Sequence, residues 1–186
     1  MYKEIRLSGT GGQGLILAGL ILAEAAGVHD GHEVIQTQSY GPEARGGASR
    51  AEVIVSDDVI DYPKVTFPDV VLVMSQQACD RYGRLVKPGG IVLVDDTNVS
   101  SIPSVEGASV VTLPITEIAR HDVGRQVVAN VVALGALVGV TDVVTPEAME
   151  KAILSRVPRG TEELNMKAFN VGLEKGREAR ARHESP

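Results

Sequence analysis

Three short stretches constrain this chain more than anything else in it. Val70 to Met74 and Ile91 to Val94 are continuous apolar runs, and Val110 to Leu113 is apolar but for Thr112. A strand with one face in water alternates apolar and polar side chains. An unbroken run has both faces covered, as in parallel strands sandwiched between helices. Gln76 to Val86 can supply a crossover helix between the first two runs, and Lys87-Pro88-Gly89-Gly90 turns the chain back. Upstream, Ile5 to Ser8 reads as a first strand. Leu15 to Ala26 reads as a helix ending near Gly27, and Val34 to Ser39 and Ala51 to Val55 as further strands. Downstream, Arg125 to Val140 reads as one long apolar helix. Thr145-Pro146-Glu147 is the cap and first turn of another, and a third runs from about Thr161 towards Arg180. The expected fold is α/β: a mainly parallel, Rossmann-like sheet flanked by helices, with a helical C-terminal third. Residues 1–186 fit one domain, and the charged tail 174–186 is expected to fray.

Composition narrows the function. Trp is absent and aromatics are 3% of the chain, so Val, Leu, Ile and Ala must fill the core. A net charge of −6 argues against nucleic acid as a partner, because neutralising phosphates needs a basic face. Cys79 is the one cysteine. It excludes an internal disulfide and cannot hold an iron–sulfur cluster, which takes about four thiolates. Its neighbours Ala78 and Asp80 suit a small helix residue better than an activated thiol. Met1 to Ser8 has no hydrophobic run of the secretory kind, and the apolar stretches 15–26 and 127–140 are too short to span a bilayer. The chain is expected to be soluble and cytoplasmic, with no membrane partner.

Two glycine-rich loops carry the functional signal. Gly9-Thr10-Gly11-Gly12-Gln13-Gly14 sits between a strand and a helix. Missing Cβ atoms let backbone N–H groups approach a ligand, and the helix adds the positive end of its dipole, so the loop suits a phosphate or another anion. It also suits a ligand-free tight turn. The spacing satisfies the dinucleotide fingerprint, but the acid that should bind a ribose at the end of strand two is missing: that strand ends Gln36-Thr37-Gln38-Ser39, and Glu33 lies at its start. No Gly-Lys-Ser/Thr follows, so it is not a P-loop. In Tyr40-Gly41-Pro42-Glu43-Ala44-Arg45-Gly46-Gly47, Pro42 stiffens one side and the paired glycines free the exit. Arg45 could hold a phosphate or carboxylate, oriented by Glu43, or the pair could be a solvated surface turn.

Smaller features read as structure. Gly135-Ala136-Leu137-Val138-Gly139 puts small residues on one face of an apolar helix and implies a close helix contact. Asn130 reads as a packing or capping residue. His29 and His32 flank the turn Asp30-Gly31 without a third ligand, and Asp95-Asp96 reads as a polar turn rather than a magnesium site. Arg177, Arg180 and Arg182 suit a helix C-terminus. No catalytic residue and no metal ligand is assigned to this chain.

The two loops together, with Glu52-Val53-Ile54-Val55-Ser56, Pro68-Asp69 and Asn130-Val131-Val132-Ala133-Leu134-Gly135-Ala136, resemble the gamma subunit of 2-oxoacid:ferredoxin oxidoreductases. The match runs in order over nearly the whole chain, and Thr10 with Tyr40–Gly47 is most similar to the 2-oxoglutarate branch. The resemblance implies a pyruvate/ketoisovalerate oxidoreductase catalytic domain. It further implies a hetero-oligomer of alpha and beta subunits, with a delta subunit where the complex has one, that turns 2-oxoglutarate and coenzyme A into succinyl-CoA and CO2 and reduces ferredoxin. It implies thiamine diphosphate, magnesium and iron–sulfur clusters on partner subunits, none bound by this chain alone, and coenzyme A as a shared ligand. The chain shows no Gly-Asp-Gly motif of the thiamine type and no cysteine array, in keeping with that division. The alternative is a stand-alone nucleotide- or phosphate-binding α/β domain.

Overall fold

The computed structural model describes residues 1–39 and 48–184. Six strands form one sheet: β1 (Tyr2–Thr10), β2 (Glu33–Ser39), β3 (Ala48–Ser56), β4 (Val70–Val73), β5 (Ile91–Asp95) and β6 (Ser109–Leu113), in the order β2-β3-β1-β4-β5-β6. The three apolar runs are β4, β5 and β6, paired in parallel with one another, and β4 pairs in parallel with β1. Val71, Leu72 and Val73 are fully buried, as an unbroken apolar strand requires. The expected parallel sheet is extended by a feature the sequence did not show. β3 runs antiparallel to both β1 and β2, so the sheet is mixed, although its other five strands point the same way.

The helices are α1 (Leu15–Glu24), α2 (Gln76–Tyr82), a short α3 (Ile115–Glu117), α4 (Ala129–Thr141), α5 (Pro146–Arg156) and α6 (Glu162–Glu184). α1 continues as a π-turn over Ala25–His29, and α3 as another over Ile118–Val123. The two faces of the sheet are covered unequally. On one, Ile5 and Leu7 of β1 and Val53 and Val55 of β3 pack with side chains of α1, α4, α5 and α6 in the larger core. On the other, Val71, Val73, Val92 and Val94 meet Ala78, Cys79 and Tyr82 of α2.

α4 is buried from Ala129 to Val140, so it has no solvent face. It starts later than the sequence suggested: Gly124, at φ 100°, stops the preceding turn, and a 3₁₀ turn over Gln126–Val128 leads in. The small residues Gly135 and Gly139 do make the close contact expected of them, and the partner is α6. A Cβ on Gly135 would sit 2.2 Å from the Phe169 carbonyl oxygen, and one on Gly172 would sit 2.1 Å from that of Val132. Residues 174–184, expected to fray, are instead the last turns of α6. They are held by Gly176 against Ala136, by buried Ala179, and by an Arg180–Asp142 ion pair. Thr145 caps α5 as its sequence implied, accepting from the Ala148 N–H at 3.2 Å ahead of Pro146.

Gly172→Ala should lower stability by about 1–3 kcal/mol, because a backbone atom cannot move aside as a side chain can. Urea unfolding should show the loss. Gly11→Ala, with nothing within 4 Å of its added carbon, should leave the midpoint nearly unchanged.

Candidate active-site crevice

Strand β1 hands the chain to α1 on one face of the sheet, and its neighbour β4 hands it to α2 on the other. Where adjacent parallel strands send their connections to opposite faces, the loops diverge and leave a crevice outside the carboxyl ends of the strands. A cleft of about 300 Å³ lies there, lined by Gly12, Gln13, Met74, Thr116, Gln126, Val127 and Ala129.

The first glycine loop forms one wall. Gly9 and Thr10, expected within the loop, belong to β1, where they pair with Ser49 and Ala48. The strand extends to Thr10 because β3 offers a ladder partner that far. A Cβ on Gly9 would sit 2.3 Å from Gln13 Oε1 and 2.7 Å from Leu15 Cδ1, so a side chain there would displace the ends of both. Gln13 ties the two strand ends together: its Oε1 accepts from the Thr10 N–H at 2.8 Å, and its Nε2 donates to the Met74 carbonyl at 2.8 Å. Gly14 precedes α1 at φ 74°, where a Cβ would also meet Asn130 Nδ2 at 2.6 Å. That amide donates to the Gly14 carbonyl at 3.2 Å. Asn130, which the sequence left as a packing or capping residue, therefore buttresses the loop.

Gly11 and Gly12 differ from these. Both are exposed. Gly12 needs its lack of a side chain for φ 90°, whereas Gly11 has ordinary φ and open space around it. No side chain caps α1. Its first N–H groups thus have no side-chain acceptor at the cap, and the positive end of the helix dipole lies behind them.

Tyr40, Gly41, Pro42, Glu43, Arg45, Gly46 and Gly47 of the second loop lie outside the described residues. Flanking them, Ser39 ends β2 at the register of Arg50, and Ala48 opens β3 opposite Thr10, at the carboxyl edge. Thr116 and Gln126, which also line the crevice, carried no signal in the sequence.

The remaining candidates are structural. Asp95 is fully buried and accepts from Asn98 Nδ2 at 2.8 Å, Thr116 Oγ1 at 2.5 Å and the Thr97 and Thr116 N–H groups at 3.2 Å. Those bonds occupy the carboxylate. Burial, and then the charge of Asp80, push the Cys79 thiol up and keep it protonated. Among the described residues no three of His, Cys, Asp and Glu come together to hold a metal ion. No described helix is long and apolar enough to cross a membrane.

Residues 4–175 match the pyruvate ferredoxin/flavodoxin oxidoreductase family. The chain belongs to that family. It is a gamma-type subunit of a 2-oxoacid:ferredoxin oxidoreductase, of the 2-oxoglutarate branch. It is 54% identical to the 2-oxoglutarate synthase subunit KorC of Methanocaldococcus jannaschii, over 96% of either chain. The gamma subunit of a keto/oxoacid ferredoxin oxidoreductase from Geobacter sulfurreducens superposes with a TM-score of 0.88 at 51% identity, covering 96% of this chain and 98% of that one. The fold also recurs in the 2-oxoglutarate:ferredoxin oxidoreductase of Magnetococcus marinus, with a TM-score of 0.82 at 23% identity. There it spans 95% of this chain but 31% of a longer one.

Gly14→Ala should cost this subunit about 1–3 kcal/mol on its own, through positive φ and the Asn130 clash, while Asn130→Ala should relieve the clash and leave the strain. A double-mutant cycle followed by thermal unfolding measures the coupling. Additive effects would remove Asn130 as the support of the loop.

Proposed function

We propose that this chain serves a 2-oxoglutarate:ferredoxin oxidoreductase by holding phosphate groups of coenzyme A across the β1–β4 crevice. The observation that carries the reading is Gly11 with Gly12: exposed, without side chains, and in front of an uncapped helix N-terminus. Support also comes from the relatives' names. The Methanocaldococcus protein is a 2-oxoglutarate synthase subunit, and the Magnetococcus enzyme was solved with 2-oxoglutarate, coenzyme A and succinyl-CoA bound.

The overall reaction takes 2-oxoglutarate and the coenzyme A thiol to succinyl-CoA and CO2, releasing one proton and passing two electrons to ferredoxin. Thiamine diphosphate, magnesium and iron–sulfur clusters supply the decarboxylation and the electron path. The residues described here do not fit them: the one thiol is buried, and no acidic cluster stands ready for a metal. We assign those groups to alpha and beta subunits, and to a delta subunit where the complex has one, and route no step through them on this chain. Its own contribution is to fix one end of the acyl acceptor, so that the distant thiol meets the acyl group without a search.

The purified chain should be folded, colourless and inactive. With its partner subunits, an anaerobic assay with 2-oxoglutarate, coenzyme A, thiamine diphosphate, magnesium and a viologen acceptor should show turnover that weakens when this chain is omitted. Gly11→Val should raise KM for coenzyme A by about tenfold or more and leave KM for 2-oxoglutarate alone. An unchanged KM for coenzyme A in an assembled complex would sink the reading. A variant that no longer assembles would assign Gly11 to a subunit contact instead.

A further inference from the structure

A charged cluster lies on the opposite face of the sheet from α1, built from residues that do not line the crevice. Arg6 of β1 and Glu52 of β3 are directly paired across the strands, and both are buried, at 5% and 8% exposure. Arg6 Nε and Nη2 each lie 2.7 Å from one carboxylate oxygen, Glu52 Oε1. Arg50, two residues earlier on β3, brings its Nε to 3.6 Å from the same oxygen. The ring of Tyr82 stands among three guanidinium groups, whose carbons lie 5.4, 5.6 and 5.4 Å from its centre for Arg6, Arg50 and Arg81.

The cluster is not balanced. Two guanidinium groups, of Arg6 and Arg50, meet the Glu52 carboxylate and a third, of Arg81, shares the Tyr82 ring with them, which leaves a surplus of two positive charges among the described residues of the cluster in a chain whose net charge is −6. Glu4, on the same face of β1, is turned to the Thr66 and Phe67 N–H groups at 2.9 and 3.0 Å. Arg6 Nη1 and Arg50 Nε are buried and have no hydrogen-bond acceptor among the described residues. Burying a donor without an acceptor is destabilising, and more so when the donor is charged. The ring face of Tyr82 offsets only part of that. Arg50 keeps 34% of its side chain exposed and Arg81 is exposed, so the surplus can be reached from solvent along these two residues.

We propose that Arg6, Arg50 and Arg81 around Tyr82 form a receptor for a phosphoryl dianion. Such a group carries two charges, which cancel the surplus; a single carboxylate would leave one. Its several oxygens can accept from the orphaned Nη1 of Arg6 and Nε of Arg50 together. The dianion is either free inorganic phosphate or the terminal phosphate of a nucleotide, and the proposal stands whether or not the crevice holds coenzyme A.

Calorimetric titration of the purified chain with inorganic phosphate and with adenosine 3′-phosphate, at ionic strength fixed with sodium chloride, tests it. One phosphoryl group should bind per chain, and binding should weaken as pH falls through about 6, where the dianion takes up a proton. Arg50→Gln should weaken it about tenfold or more, the worth of one charge-assisted hydrogen bond. Tighter binding of inorganic phosphate identifies the free ion as the ligand, and tighter binding of the ester a nucleotide. Arg6→Gln breaks a buried pair and puts folding itself at stake, so Arg50→Gln and Arg81→Gln carry the test. In phosphate-free buffer Arg50→Gln should melt no lower than the parent chain, because it removes surplus charge; a lower melting temperature would mark Arg50 as a structural residue and overturn the proposal. So would a response to phosphate no larger than that to chloride, or equal affinities for the parent and both variants.

Discussion

Helix α4 lies against α6 with backbone touching backbone. The contact is built from both sides: Gly135 and Gly139 face the Phe169 and Leu173 carbonyls, while Gly172 and Gly176 face those of Val132 and Ala136. Any side chain at these positions would push the axes apart by more than the packing of their neighbours could absorb. At such a distance Cα–H groups can lie against carbonyl oxygens, a weak attraction repeated along the interface. With α6 so close, α4 is covered on every side and can be apolar throughout. That fixes where α4 begins, and so where Asn130 points. The amide of Asn130 then holds the Gly14 carbonyl at the start of α1. The geometry of the crevice thus depends on four glycines that lie away from it.

The sheet explains why the crevice lies between β1 and β4. Five strands share a direction, so their carboxyl ends share an edge, and β1 and β4 send their chains to opposite faces there. The antiparallel β3 does not spoil this. It returns the chain to the same sheet beyond β1, and its first residue, Ala48, lies beside Thr10 at that edge. The first glycine-rich segment, the end of β2 at Ser39 and the start of β3 at Ala48 therefore adjoin one edge.

Elements whose cause is local were legible in the sequence. The runs at β4 and β5 announced buried parallel strands, whereas β6, also parallel, is an edge strand with Thr112 exposed; Thr145-Pro146 announced a capped helix, and Gly135-x-x-x-Gly139 announced a close contact. The partner in that contact was not legible, because Gly176 sits in the charged tail 174–186 whose composition suggested fraying, and Gly172 just ahead of it carries no pattern that names a partner. The length of β1 was hidden for a similar reason: Gly9 and Thr10 read as loop until a ladder partner is known. The alternation of Glu4, Arg6 and Ser8 with Ile5 and Leu7 could have signalled a strand with a polar face. It could not have told that Glu52 and Tyr82 would meet Arg6 there. Thr116 and Gln126 reach the crevice only through the fold, and no sequence pattern marks such residues.

Among the glycines of the first loop, the intrachain reasons run out at one position. Gly9 is required by Gln13 and Leu15, Gly14 by its φ and Asn130, and Gly12 by its φ. Gly11 is required by nothing within the described chain, yet it occupies the outermost point of the loop beside an uncapped helix. A residue free to carry a side chain but lacking one is most simply explained by a neighbour that is absent from the isolated subunit. With the one thiol buried and no cluster of metal-ligating side chains among the described residues, the open face of the first loop is the part of this chain most available to such a neighbour, and Gly11 stands at its outermost point.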